Sequence, residues 1–265
     1  MSETSGFQVG DEAPRHYQDV ATPFMIPMSE AMVDAVVRSG DAVLDVACGT
    51  GIATRIAATA AGNNGSVVGS DINTAMLAIA QSISAERQDG LSWDEASALD
   101  LPYAADRFDA AICQQGAQFF PDPVAGLTEI ARVVRPGGRI GATVWSDMID
   151  SPYLLANVEI PIQMLGQEPD SVVFTSTADE MTSWFDGAGL TDVVVEKVIV
   201  DVSLPPLAEY FPAHMKALPW GEAFFAVAPE VRAAAMADLD ERMADYRTPT
   251  GVTVPFASWL ATGTV

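Results

Sequence analysis

The stretch Val43-Leu44-Asp45-Val46-Ala47-Cys48-Gly49-Thr50-Gly51 constrains the fold more than any other part of this chain. The apolar run from Ala42 to Val46 has the length of a parallel strand covered on both faces. Gly49 and Gly51 let the backbone turn sharply and come close to a ligand. Ile52 to Ala57 then reads as the start of a helix. A nucleotide-like cofactor is expected at such a strand–turn–helix junction.

The glycine spacing narrows the cofactor. A dinucleotide fingerprint needs a third glycine three residues after the second, and that position is Thr54. No Gly-Lys-Ser/Thr ending follows the glycines, so a phosphate-cradling loop is not formed either. The strand instead carries an acid, Asp45. A carboxylate suits a cofactor with an ammonium group or hydrogen-bond donors and is a poor neighbour for a diphosphate.

Twenty residues beyond Gly51 the pattern returns. Ser66 to Ser70 reads as a second strand with Asp71 at its end, where an acid accepts hydrogen bonds from ribose hydroxyls. Ile72 and Met76 follow, and apolar side chains there are suited to an adenine face.

These motifs resemble those of class I S-adenosylmethionine-dependent methyltransferases, and within them the small-molecule enzymes of the ubiquinone and menaquinone biosynthesis type. The resemblance rests on the Val43–Gly51 turn, Asp71, the pairs Leu101-Pro102 and Phe108-Asp109, and the helix and turn from Leu127 to Gly138. It covers residues 40–145. It implies an α/β, Rossmann-like, doubly wound sheet of seven strands in the order 3-2-1-4-5-7-6 with strand 7 antiparallel. It also implies S-adenosylmethionine as cofactor. By motif, Asp45, Ala47, Gly49 and Gly51 would hold the methionine end, Asp71 the ribose, and Ile72 and Met76 the adenine. Ser97, Ala98 and Leu99 would lie near the adenine amino group, with Ser97 standing where relatives often carry an acid. Gln114 would lie beneath the methionine moiety. The loop from Cys113 to Phe120 would face the transferred methyl group, and it lacks the Asn/Asp-Pro-Pro-Tyr/Phe signature of adenine and glutamine N-methyltransferases.

The chain has 265 residues, 49% of them hydrophobic, which suffices for one sizeable core. No Gly/Ser- or Pro-rich linker divides it, so a single domain is expected over 1–265. The N-terminus lacks the basic and apolar segments of a signal peptide, and no apolar stretch reaches the length of a membrane span. The expected location is the cytoplasm. Two cysteines, Cys48 and Cys113, cannot build a disulfide framework. The net charge is −23, from 36 acids and 13 bases. That field repels polyanions, so nucleic acid is not an expected partner. The expected partner is a small molecule, with a homodimer open.

A coarse pass gives the remaining elements. Residues 1–28, punctuated by Pro14, Pro23 and Pro27, read as an N-terminal lid. Ser29 reads as the N-cap of a helix over 30–38 stopped by Gly40. Strands are expected at 42–46, 66–70, 91–95, 108–113, 139–145, 193–200 and 259–265. Helices are expected at 51–61, from Asn73 or Thr74 to about Ala85, from Asp122-Pro123 to Pro136-Gly137-Gly138, and at 178–188. Such alternation implies parallel strands with right-handed crossovers. The stretches 146–176 and 203–250 fall outside it and read as a cap over the active site. The second contains an amphipathic helix pattern over 228–246 and the aromatics Tyr210, Phe211, Trp220, Phe224 and Phe225, which read first as core.

Methyl transfer from a sulfonium is an in-line displacement that needs orientation and a dry pocket more than a conspicuous catalytic group. Of the two histidines, His214 in the cap is the candidate general base. His16 is a weaker one, and Tyr17 is expected as a lid residue at the catalytic centre. No His/Cys/acid cluster has metal-ligand spacing, so no metal is expected. The expected activity is methyl transfer to a small, largely apolar molecule at oxygen, nitrogen or carbon. The alternatives are an NAD(P)-dependent oxidoreductase on a similar sheet and a non-catalytic binding protein of the same fold.

Overall fold

A computed structural model describes residues 13–84, 90–166, 175–218 and 221–265. Its strands are β1 (Ala42–Val46), β2 (Ser66–Asp71), β3 (Leu91–Glu95), β4 (Phe108–Gln114), β5 (Val134–Trp145), β6 (Thr191–Leu204), the two-residue β7 (Arg247–Thr248) and β8 (Gly251–Thr264). They form one sheet in the order β3-β2-β1-β4-β5-β8-β6, with β7 paired to β8. β8 runs antiparallel to both β5 and β6, and the other long pairings are parallel. The implied order therefore holds, with β8 as the seventh long strand and β7 as a short addition.

Alternation along β1 divides the molecule into layers. Val43 joins one buried cluster with Val36 of α1 (Ala13–Val36) and Ala53 and Ala57 of α2 (Ile52–Ala61). Leu44 joins another with Leu127 and Ile130 of α4 (Pro123–Val133) and Met181 and Phe185 of α6 (Ala178–Gly187). Each such side chain contributes about 1.5–3 kcal/mol on full burial. Asp45 shares the face of Val43 and so points toward α2. Asp109, at the start of β4, accepts from the Ala42 backbone N–H at 2.8 Å and from Arg135 Nε at 2.6 Å. These contacts hold its carboxyl below the usual range. The Phe-Asp pair thus ties the central strands together. Asn73 caps α3 (Thr74–Ile83) by accepting from the Ala75 and Met76 N–H groups, and Asp122 caps α4 through Ala125 N.

The cap stretches contain α5 (Pro152–Leu165), α7 (Leu207–Met215), α8 (Gly221–Ala226) and α9 (Pro229–Arg242). They share a third buried cluster with α1 and the ends of β6 and β8. Tyr210, Phe211 and Phe224 are buried in it, while Phe225 is exposed; Trp220 lies outside the described residues. Within 228–246, α9 buries only Ala235 and Leu239.

Three local expectations are corrected. The lid and the helix over 30–38 are one element, because α1 runs unbroken through Pro23 and Pro27. Proline removes a backbone donor and disturbs the preceding turn. Here side chains of the core supply donors nearby, with Tyr210 Oη donating to Val20 O and Gln114 Nε2 (2.9 Å) to Met25 O. The apolar face of Val20, Ala21, Phe24, Met25, Met28, Met32, Val33 and Val36 supplies the burial that holds the helix. Ser29 is accordingly inside the helix and not its cap. Residues 1–12 of the expected lid lie outside the described residues.

The second correction concerns α4, which ends at Val133, so that Pro136-Gly137-Gly138 opens β5. Pro136 disfavours helix at Arg135, Gly137 takes φ 74°, and the irregular stretch is stitched to the chain end by Gly137 N to Val265 O (2.8 Å) and Val265 N to Gly138 O (3.0 Å). The third is length: β6 and β8 run well beyond 193–200 and 259–265, because eleven successive residue pairs, from Val194–Thr262 to Leu204–Val252, join them in one long ladder, with Thr191–Thr264 beyond an irregularity. Among the described residues no helix is long and apolar enough to cross a membrane, and no group of three His, Cys, Asp or Glu could hold a metal.

Candidate functional site

A cavity of about 980 Å³ opens at the carboxyl ends of β1, β2 and β4, between them and α1, α5 and α7. Its wall includes Tyr17, Asp45, Ala47, Gly49, Asp71, Ile72, Met76, Ser97, Ala98, Leu99, Gln114 and His214. His16, the weaker candidate base, is not on this wall, and of the residues assigned to the cofactor from the sequence Gly51 alone is not on it either.

The turn after β1 explains that difference. Ala47, Gly49 and Gly51 take φ of 56°, 55° and 77°, the left-handed region. A Cβ on Gly49 would meet nothing within 4 Å, so its backbone stands open to the cavity. A Cβ on Gly51 would come within 2.2 Å of the Trp93 ring, and one on Gly69 within 2.6 Å of it. Gly51 therefore serves packing of β3 beneath the turn, and its glycine signature is structural.

Two carboxylates face the turn. Asp45 is fully buried; its Oδ2 accepts from Thr54 Oγ1 at 2.5 Å, and its Oδ1 has no partner among the described residues. Burial pushes its carboxyl up to about 7, opposed by the Thr54 hydroxyl and reinforced by the Asp71 charge. Asp71 Oδ2 accepts from Gly49 N at 2.7 Å and Oδ1 from Asn73 N at 2.8 Å. Burial raises its pKa as well, against those backbone donors. Tyr17, carried by α1, is raised by burial and by the Asp71 charge. Burial likewise raises both thiols, Cys48 on the cavity wall and Cys113 in β4. A site with two desolvated acids at one end favours a ligand bearing positive charge and hydroxyl donors.

Gln114 is less free than its motif suggests. Its Oε1 accepts from Ser29 Oγ at 2.6 Å and its Nε2 donates to Met25 O at 2.9 Å, so both ends of the amide hold α1. The next residue, Gln115, has φ 51° and donates from Nε2 to Ser258 Oγ at 2.8 Å. Gln118 Nε2 donates to Gln115 Oε1 at 3.3 Å. Ser97 turns back on its own loop, accepting from Leu99 N at 3.2 Å. Asp100, three residues on, is the acid of that loop on the cavity wall.

The other end of the cavity is apolar, walled by Phe24, Met25, Trp145, Met148, Leu154, Val158 and Leu218. The cap aromatics Tyr210, Phe211 and Phe224 stand behind this wall, not on it. His214 is buried, with Nδ1 3.1 Å from Tyr153 Oη and its ring stacked at 5.7 Å on Tyr153. Burial lowers its imidazole to about 4, so it is neutral near pH 7. Asn157 reaches the same wall from α5, with Nδ2 donating to Tyr153 O at 2.8 Å. Tyr153, Asn157, Phe24 and Trp145 escaped the sequence reading. The spacing i, i+4 of Tyr153 and Asn157 on a cap helix was the signal available for two of them.

Residues 43–138 match the family model of a methyltransferase domain. An uncharacterised protein of Mycobacterium bovis is 37% identical over 131 residues, 49% of this chain and 47% of that one. The demethylmenaquinone methyltransferase of Corynebacterium kroppenstedtii is 32% identical over 164 residues, 59% of this chain and 67% of that enzyme. The chain thus spans about half the length of the mycobacterial relative and two thirds of the corynebacterial one. Among solved structures, phosphoethanolamine N-methyltransferase 2 of Haemonchus contortus, in complex with S-adenosyl-L-methionine, matches with a TM-score of 0.60 at 15% identity. That match covers 96% of this chain and 57% of the other, and at such identity the likeness is one of fold.

Proposed function

The chain belongs to the class I S-adenosylmethionine-dependent methyltransferases, and from that premise we propose that it moves a methyl group from S-adenosylmethionine to a small, largely apolar molecule. One observation carries the cofactor reading: Asp45 Oδ1 is buried and has no partner among the described residues, in a cavity whose wall also includes the open Gly49 backbone and Asp71. That set of groups fits an amino acid joined to a nucleoside. Asp45, Ala47 and Gly49 would hold the amino-acid end. Asp71 would take the ribose hydroxyls, with Ile72, Met76 and the loop 96–100 around the base.

When bound, the cofactor supplies a methyl group already activated on a sulfonium. The chain supplies orientation, worth roughly 7–11 kcal/mol for well-placed reactants, and a chamber lined by apolar side chains. Tyr17 on α1 closes the cofactor end. His214 is neutral at physiological pH and so is able to accept a proton from an acceptor that must lose one. The apolar wall supports a largely apolar acceptor. The net charge of −23 weighs against nucleic acid, and the cytoplasm is the proposed location.

Thermal unfolding with S-adenosylhomocysteine tests the reading. Stabilisation of about 2.7 kcal/mol is expected at 100 times the dissociation constant. Stabilisation by NADH with none by S-adenosylhomocysteine would replace it with the oxidoreductase alternative. Methyl transfer to a panel of phenols, quinols and amines separates an enzyme from a binding protein of the same fold.

A further inference from the structure

Asn157 is 3% exposed, and its orientation is set by the main chain. Nδ2 donates to the carbonyl of Tyr153, one turn earlier on α5, at 2.8 Å. A carbonyl oxygen accepts only from a donor, so the amide cannot be reversed, and Oδ1 is the atom left over. That oxygen is buried and has no partner among the described residues, and Asn157 lines the apolar end of the cavity. A buried acceptor in this state favours any ligand that brings an O–H or N–H to it. Tyr153 also fixes the neighbouring polar group, because its hydroxyl meets His214 Nδ1 at 3.1 Å. Tyr153 thus holds two polar residues that line the same chamber.

The charges around the chamber narrow the ligand further. Among the described residues no Lys or Arg lines the cavity, and its charged members are Asp45, Asp71 and Asp100. A carboxylate or phosphate on the acceptor would lack a counter-charge and would face like charges. Resting on the methyltransferase reading above, we propose that Asn157 is the specificity residue for the methyl acceptor: its Oδ1 selects an uncharged ring compound that carries a hydroxyl or N–H donor. Tyr153 is the positioning residue of this subsite, acting through its carbonyl on Asn157 and through its hydroxyl on His214. A site built to pair a donor rejects the analogue that lacks one, because its own acceptor is then left unpaired.

Calorimetry with three matched probes tests this: 1-naphthol, 1-methoxynaphthalene and 1-naphthoate, each titrated with and without saturating S-adenosylhomocysteine. Wild-type protein is expected to bind 1-naphthol about tenfold more tightly than the methyl ether and to bind naphthoate most weakly. In Asn157→Leu the naphthol-to-ether ratio should fall to about one, with S-adenosylhomocysteine affinity unchanged. In Tyr153→Phe, which keeps the carbonyl, the ratio should persist while the pH profile of methyl transfer shifts. Equal affinity for naphthol and its ether in wild type, no naphthol binding at all, preference for naphthoate, or a ratio that survives Asn157→Leu would each overturn the proposal. So would loss of the ratio in Tyr153→Phe alone. Failure of S-adenosylhomocysteine to bind overturns the cofactor reading instead, and the naphthol arm without it still decides the role of Asn157.

Discussion

Thr54 donates its hydroxyl to Asp45 Oδ2 across 2.5 Å, from the position where a dinucleotide fingerprint carries its third glycine. The departure from that fingerprint is thus a contact. It joins the first turn of α2 to the acid of β1 and leaves the other carboxylate oxygen without a partner among the described residues.

Replacing Asp45 by Asn should stabilise the ligand-free protein at pH 8 and weaken cofactor binding. Burial raises the folded carboxyl to about 7 from 3.8. The native state therefore binds this proton more tightly than the unfolded chain does, and stability falls as pH rises between those values. Above pH 7 the full penalty applies, on the order of a few kcal/mol. Asn keeps the acceptor for Thr54 and removes the charge. The melting temperature of Asp45→Asn should exceed that of wild type at pH 8, with the gap closing toward pH 5. An equal loss of stability at both pH values would contradict the assignment.

The two glycines of the turn should fail differently. Gly51→Ala places a Cβ at φ 77° and against Trp93, so it should cost several kcal/mol of stability, part of it recovered by Trp93→Ala. Gly49→Ala meets no neighbour and should cost about 1 kcal/mol for its φ of 55°. Its new methyl group projects where the ligand would approach, so S-adenosylhomocysteine affinity should fall more than stability does. Denaturant titration and calorimetry on both variants read the contrast directly.

His214→Asn should lower turnover by about a hundredfold or more if the acceptor must lose a proton, with cofactor affinity unchanged. Because burial lowers the imidazole to about 4, the acid limb of the wild-type rate should fall near pH 4 and not near 6.5. The same shift makes the unfolded chain take up protons first, so this group's contribution to stability is lost as pH falls from 6.5 through 4. Turnover unchanged at every pH would remove His214 from the reaction.

The parts of the fold legible in sequence are those built by local signals. β1, β2 and β4 are short, largely apolar and buried runs, and Asn73 and Asp122 announce α3 and α4 by their caps. What stayed hidden depends on distant partners. Two prolines argue against a helix over Ala13–Val36, and only the burial of one face and donors from Gln114 and Tyr210 reverse that argument. The extra length of β6 comes from its ladder to β8, some sixty residues away. In the site, Asp45, Gly49 and Asp71 follow from the motif. Gly51 looked alike in sequence because a glycine needed for packing and one needed for ligand approach leave the same letter. Asn157 became visible only once the Tyr153 carbonyl showed which way its amide must point.

Gln114 provides the last test, because its two hydrogen bonds separate tether from ligand contact. Ser29 Oγ donates to its Oε1 and its Nε2 donates to Met25 O, joining β4 to the middle of α1. Gln114→Leu keeps the volume and removes both bonds, which should cost about 1–3 kcal/mol and lower the melting temperature by roughly 2–4 °C for each kcal/mol. Ser29→Ala removes one bond and leaves the amide on Met25, so it should cost less than half as much. Because α1 carries Tyr17 to the cofactor end, a loosened helix should also reduce S-adenosylhomocysteine affinity in Gln114→Leu, in step with stability. Affinity lost in Gln114→Leu at an unchanged melting temperature would mean that the amide contacts the ligand itself and that its bonds to α1 give way on binding.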